Sequence, residues 1–204
     1  MKNWVMTVSV ATALVCGGAN ADTGDAKAGE KKAVSCTACH GPAGNSVVPM
    51  WPKLAGQQPE YIVKQLMDFK SGARVNPQMS PQAAPLTKQD MLNLAAYFSS
   101  QKQSGGTADP KQVVLGSAIF RGGNTAAGVP ACTGCHSPTG MGLGLAKFPR
   151  LAGQHAQYVE QTLKNFRDGQ RTNDPNGMMQ GVAASLTDKQ ITAVAQYVQG
   201  LTSQ

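Results

Sequence analysis

The pentapeptide Cys36-Thr-Ala-Cys-His40 recurs as Cys132-Thr-Gly-Cys-His136, displaced by 96 positions in a chain of 204 residues. Thiols at i and i+3 lie on one side of a helical turn, and the next residue offers an imidazole where the chain meets whatever the thiols hold. That pattern is the attachment sequence for c-type haem: the thiols form thioethers to the vinyl groups and the imidazole ligates iron. A four-cysteine zinc site brings its pairs within about 15 to 20 residues, whereas 92 residues separate Cys39 from Cys132. A thioredoxin-like dithiol needs a βαβ setting and has no use for a histidine directly after its second cysteine.

The recurrence extends beyond the motif. Pro52-Lys-Leu-Ala-Gly-Gln57 matches Pro149-Arg-Leu-Ala-Gly-Gln154, and Tyr61, Leu66 and Phe69 match Tyr158, Leu163 and Phe166. Leu86-Thr87 and Tyr97 match Leu186-Thr187 and Tyr197. The offset grows from 96 through 97 to 100, so the extra residues of the second copy fall in connections. The chain is a tandem duplication. Between the copies, Gln101 to Lys111 carries Ser104-Gly-Gly-Thr107 and Asp109-Pro110, polar and rich in helix breakers. This places one domain over 22–104 and another over 105–204.

Residues 1–21 read as a cleaved secretory signal, with Lys2 at its start, an apolar run from Trp4 to Val15, and Ala19-Asn20-Ala21 as the cleavage pattern. The run is too short to span a bilayer. Cys16 follows Val15 rather than a small residue, so it is discarded sequence and not a lipid-attachment site.

Each half is mainly helical. Tyr61, Ile62, Leu66 and Phe69 keep a helical period, as do Tyr158, Val159, Leu163 and Phe166, with Gly72 and Gly169 as stops. Thr87-x-x-Asp90 and Thr187-x-x-Gln190 are capping boxes opening amphipathic terminal helices. No stretch alternates like a strand, and the segments 41–56 and 137–153 are long Gly/Pro loops. Only 5% of residues are aromatic against 23 glycines and 12 prolines, so a flat cofactor supplies packing surface that the side chains lack. The fold class is all-α, two tandem domains each around one haem.

The duplication also locates a second axial ligand, for which methionine thioether is the usual partner in electron carriers. Met79 and Met179 each stand seven residues before the matched leucines Leu86 and Leu186. Met50, Met67 and Met91 instead align with Lys147, Lys164 and Ile191, and Met141 with Asn45. Met178 breaks the register by one and is assigned to packing. His155, opposite Gln58, is the sole histidine outside the motifs, so bis-histidine ligation at both haems is impossible. It is read as a partly exposed loop residue outside the site.

Loss of the signal leaves 17 basic against 11 acidic residues, a formal +6 with no run of five like charges, which makes nucleic acid a poor partner. Trp51 and Phe148, just before the matched prolines, are placed either to cover a haem or simply to pack. The carbonyls of Pro52 and Pro149 are candidates to orient the ligating histidines, with loop shaping the equal alternative.

On both attachment motifs, the Pro-x-Leu-Ala-Gly-Gln segments, Leu94-Ala-Ala-Tyr-Phe98, Arg171-Thr-Asn-Asp174 and Gly181-Val-Ala-Ala184, the chain resembles the dihaem cytochrome c4 family. The resemblance covers essentially the whole mature chain and implies two class I cytochrome c domains. It implies two haem c groups held by Cys36, Cys39, Cys132 and Cys135, with iron between His40 and Met79 and between His136 and Met179. It further implies an interface that brings haem propionates together, favours the proline carbonyls as histidine acceptors, and points to a periplasmic carrier between a respiratory donor and a terminal oxidase or similar acceptor, soluble or loosely membrane-associated. Six-coordinate iron leaves no vacancy for substrate, so the expected role is carrier and not enzyme. A dihaem peroxidase, a thiosulfate-oxidising cytochrome and a haem subunit of a larger dehydrogenase are the alternatives. Arg74, Arg121 and Arg171 are candidates to meet propionates or partner carboxylates, with a solvated face the favoured fate of each.

Overall fold

The computed structural model describes residues 23–202; the expected signal, with Cys16, lies outside the described residues. The first half contains α1 (Ala26–Lys32), α2 (Thr37–His40), α3 (Pro59–Ser71), α4 (Met79–Ala83) and α5 (Lys88–Ser100). The second repeats the order as α6 (Pro110–Gly122), α7 (Thr133–His136), α8 (Ala156–Arg167), α9 (Met178–Ala184) and α10 (Asp188–Gly200). Among the described residues the only β pairing is two isolated bridges, Asn124 with Val129 and Leu143 with Phe148.

The helix ends obey local chemistry. Both capping boxes form, Thr87 with Asp90 and Thr187 with Gln190. Gly72 closes α3 in the left-handed conformation at φ 83°. Asp109-Pro110, expected as a breaker, starts α6 instead: the Asp109 carboxylate accepts from Lys111 N and Pro110 sits at the first helical position, where its missing N–H costs nothing. Asp25 caps α1 in the same way. The helix α1 has no periodic apolar stripe to announce it, whereas α6 carries Leu115, Ile119 and Phe120 at helical spacing.

In each half the first and last helices cross through a glycine. A Cβ on Gly29 would stand 1.9 Å from Asn93 O, and one on Gly116 would stand 2.2 Å from Ala193 O. A Gly-to-Ala change inside a helix ordinarily gains up to about 1 kcal/mol. Here the overlap with backbone forces the helices apart, an overpacking cost of about 1–3 kcal/mol. Gly116→Ala should therefore lower the melting temperature of the second domain; calorimetry showing a rise would mean that the crossing is slack.

Among the described residues the second-domain core gathers eleven buried residues, with Phe120 and Ile191 fully enclosed. Among the described residues the first-domain core centres on Leu94 and Phe98, with Met91 also buried. Phe120 packs on Tyr197 with ring centroids 5.4 Å apart.

The halves meet through reciprocal hydrogen bonds. Gln57 Nε2 donates to Arg150 O at 3.0 Å while its Oε1 accepts from Arg150 N at 2.7 Å. In exchange, Gln154 Nε2 donates to Lys53 O and its Oε1 accepts from Lys53 N, both at 2.9 Å. Corresponding residues of the two repeats thus trade places, the arrangement of a symmetric dimer built into one chain. Gln58 Nε2 donates to Met141 O at 2.7 Å and His155 Nε2 to Ser46 O at 2.9 Å. The Lys53 ammonium is buried, which pushes its pKa down, and donates to Ser104 O and Gly105 O of the linker at 2.7 and 2.9 Å.

The same interface corrects the expectation of solvated arginines. Arg171 is 7% exposed, stacked 4.5 Å over the Phe166 ring and donating to Tyr61 Oη and Gln65 Oε1 of the other half at 3.0 Å each. Arg74 mirrors it, half-buried 4.6 Å over Phe69 and donating to Tyr158 Oη at 3.3 Å. A flat guanidinium keeps its charge while its faces stack and its edge donates, so hydrogen bonds and ring contacts offset part of the burial cost. Burial pushes the Tyr158 phenol up, but Arg74 and Arg171 beside it outweigh that and bring its pKa down to about 8. Arg121 alone is exposed as expected, with Nε 3.1 Å from Tyr197 Oη.

Candidate haem sites

Each Cys-x-x-Cys-His segment is one helical turn. His40 N donates to Cys36 O and His136 N to Cys132 O, both at 2.9 Å. Cys36 and Cys132 are half-buried, Cys39 and Cys135 exposed, and all four thiols are free. Burial raises the Cys36 thiol above its ordinary value and pushes Cys132 up to about 11. Catalytic dithiols have depressed pKa values, so these sites lack the electrostatics of a redox dithiol. Among the described residues no three His, Cys, Asp or Glu side chains gather to hold a metal by themselves.

The histidines are the most constrained members. His40 and His136 are buried, at 7% and 6% exposure. His40 Nδ1 lies 2.8 Å from Pro52 O, and His136 Nδ1 lies 2.9 Å from Pro149 O. A carbonyl only accepts, so Nδ1 carries the proton and Nε2 keeps its lone pair for iron. Burial lowers both histidine pKa values against the opposing pull of these carbonyls, which keeps the imidazoles neutral. The two prolines therefore do more than shape loops. Phe148 lies beside His136, ring centroids 6.3 Å apart, whereas Trp51 is half-buried at the matching place.

Met79 opens α4 half-buried, its N–H donating to Asn76 Oδ1 at 2.9 Å. Met179 is the second residue of α9 and packs against the second-domain core. Met178, expected to pack, is 41% exposed, while Met50 and Met67 are exposed and Met91 lies in the core. His155 caps α8 at the domain interface, away from the attachment turns. Each half thus offers two thiols and an imidazole with a free Nε2, and the repeat register adds one methionine as the candidate thioether. That set matches the chemistry of haem c in an electron carrier.

Sequence reasoning missed the interface roles of Gln57, Gln154, Tyr61 and Tyr158. The signal was available: polar residues that recur identically in both halves have no reason to recur in a hydrophobic core.

The cytochrome c family model matches residues 26–102 and 113–202. Cytochrome c4 of Thiocapsa roseopersicina is 61% identical, over 87% of this chain and 93% of the relative. The chain belongs to the cytochrome c4 family. The crystal structure of reduced recombinant cytochrome c4 from Pseudomonas stutzeri superposes with a TM-score of 0.86 at 49% identity, covering 88% of this chain and all of that one. A more distant relative, 41% identical over 82% of this chain and 78% of its own length, is the thiosulfate dehydrogenase electron acceptor of Thiomonas intermedia. As a cytochrome c4, the chain is a dihaem electron-transfer protein made of two tandem, helical cytochrome c domains, and it works with redox partners. No helix among the described residues is long and apolar enough to cross a membrane.

Proposed function

We propose that Cys36 and Cys39 hold one haem and Cys132 and Cys135 the other, with His40 and Met79, and His136 and Met179, as the axial iron ligands. The repeated histidine geometry carries this reading: a buried imidazole with Nδ1–H committed to a proline carbonyl and Nε2 left free, twice, directly after a thiol pair. When bound, each haem supplies a one-electron couple, poised at positive potential by thioether ligation. The chain's part is to saturate the iron, so that no open position invites substrate. In each turn one half-buried and one exposed cysteine would hold the haem, Cys36 with Cys39 and Cys132 with Cys135.

The mature protein, in this reading, starts after Ala21 and comprises domains 22–104 and 105–204. It serves in the periplasm as a carrier without turnover of its own, between a respiratory donor and a terminal oxidase or similar acceptor. The name of the Thiomonas relative supports a second donor, a thiosulfate-oxidising enzyme, without changing the carrier role.

The test is the optical spectrum of the purified protein, oxidised and reduced, with a haem-to-protein ratio. Two low-spin haems, each with full intensity in the weak thioether-to-ferric-iron band, are expected. A high-spin iron, or half that intensity, would overturn the assignment of one methionine and favour an open, catalytic iron.

A further inference from the structure

The peptide unit joining Pro52 to Lys53 is engaged at both ends. Its carbonyl accepts from His40 Nδ1 at 2.8 Å, and its N–H donates to Gln154 Oε1, in the other domain, at 2.9 Å. The unit joining Pro149 to Arg150 repeats this, its carbonyl accepting from His136 at 2.9 Å and its N–H donating to Gln57 Oε1 at 2.7 Å. Each imidazole is thus connected, through a single polarisable amide, to a glutamine of the opposite domain. Both glutamines are buried, at 7% for Gln57 and 4% for Gln154, so water does not compete for these bonds.

We propose that Gln57 and Gln154 are positioning residues acting crosswise, each setting the hydrogen bond of the axial histidine in the other domain and through it that haem's potential. Hydrogen bonds in series polarise one another, each strengthening the next by roughly 10–30%. An amide whose N–H is bound has a more negative carbonyl oxygen, which draws the Nδ1 proton and makes Nε2 a stronger donor to iron. A more electron-donating ligand favours ferric iron, so the glutamine contact lowers the potential of the distant haem. The proposal rests on His40 and His136 being iron ligands, as argued above.

The crosswise wiring gives it a signature that mere support of the interface lacks. Methionine matches glutamine closely in length and volume but makes neither bond. In the dihaem protein, Gln154→Met should raise the potential of the first-domain haem, changing its oxidised-to-reduced ratio about twofold at fixed applied potential. The second-domain haem should move less. Gln57→Met should do the reverse. Potentials are assigned by NMR of each axial histidine, whose Nδ1 proton should also exchange faster with solvent in the crosswise variant only. Should methionine loosen the domain contact, Gln154→Glu, which keeps an acceptor for Lys53 N, should restore slow exchange at the His40 Nδ1 proton. Equal shifts of both haems, a larger shift in the mutated domain, or no shift with low-spin spectra intact would each overturn the proposal and leave ligation standing. Wild-type spectra without low-spin histidine ligation would overturn both.

Discussion

Met179→Ala, in the protein carrying both haems, removes half of the thioether-to-ferric-iron band and turns one iron partly high-spin. Met179 is held in α9 against the second-domain core, with Gln180 N of the same turn donating to Asp174 Oδ2 at 3.0 Å. Axial ligands set haem potentials over a range of about 0.8 V, and loss of the thioether should lower this one by something on the order of 0.1 V. The other haem keeps its band. Met79→Ala does the same to the first domain, and Met178→Ala, whose side chain is 41% exposed, does nothing. If Met178→Ala abolished the band and Met179→Ala preserved it, the register argument that chose between them would be wrong.

The second large effect is on stability and is confined to one half. Phe120 is fully buried in the second-domain cluster against Tyr197. Removing a buried phenylalanine to alanine costs about 3–5 kcal/mol, a large part of the about 5–15 kcal/mol that holds a typical domain together. The residue four positions after the helix-crossing glycine is Phe120 in the second half and Ala33 in the first, so the two copies solve the same packing problem with different volumes. Phe120→Ala should split thermal unfolding into two steps, the second domain melting first. Circular dichroism followed beside each haem's absorbance checks this, and a single unshifted transition would show that the site collapses around the smaller side chain.

How far the sequence could be read depended on whether a structural feature leaves a chemical trace. The helices α3, α5, α8 and α10 left two traces, apolar periodicity and end signals, and all four stand close to where those signals placed them. The attachment turns left the strongest trace of all. The helix α1 was silent because the residue at its crossing is glycine, which buries backbone and shows no apolar side chain to count, whereas α6 carried Leu115, Ile119 and Phe120 and went unread behind the polar linker. Asp109-Pro110 was read backwards because the same dipeptide that breaks a helix from inside begins one from outside. Arg171 was misplaced for a different reason. Its burial is bought by Phe166 within its own domain and by Tyr61 and Gln65 more than a hundred positions earlier, partners that no local pattern relates to it.

The neutral character of the glutamine exchanges separates two processes by their response to ionic strength. Dissolved ions screen exposed charges beyond about 10 Å at 0.1 M, so encounters with a charged redox partner weaken as salt rises. Buried amide-to-peptide bonds such as those of Gln57 and Gln154 carry no net charge for ions to screen. Raising salt should therefore slow electron arrival and departure while leaving these four bonds between the two halves untouched, so one dissolved variable tunes the traffic outside the molecule without loosening them.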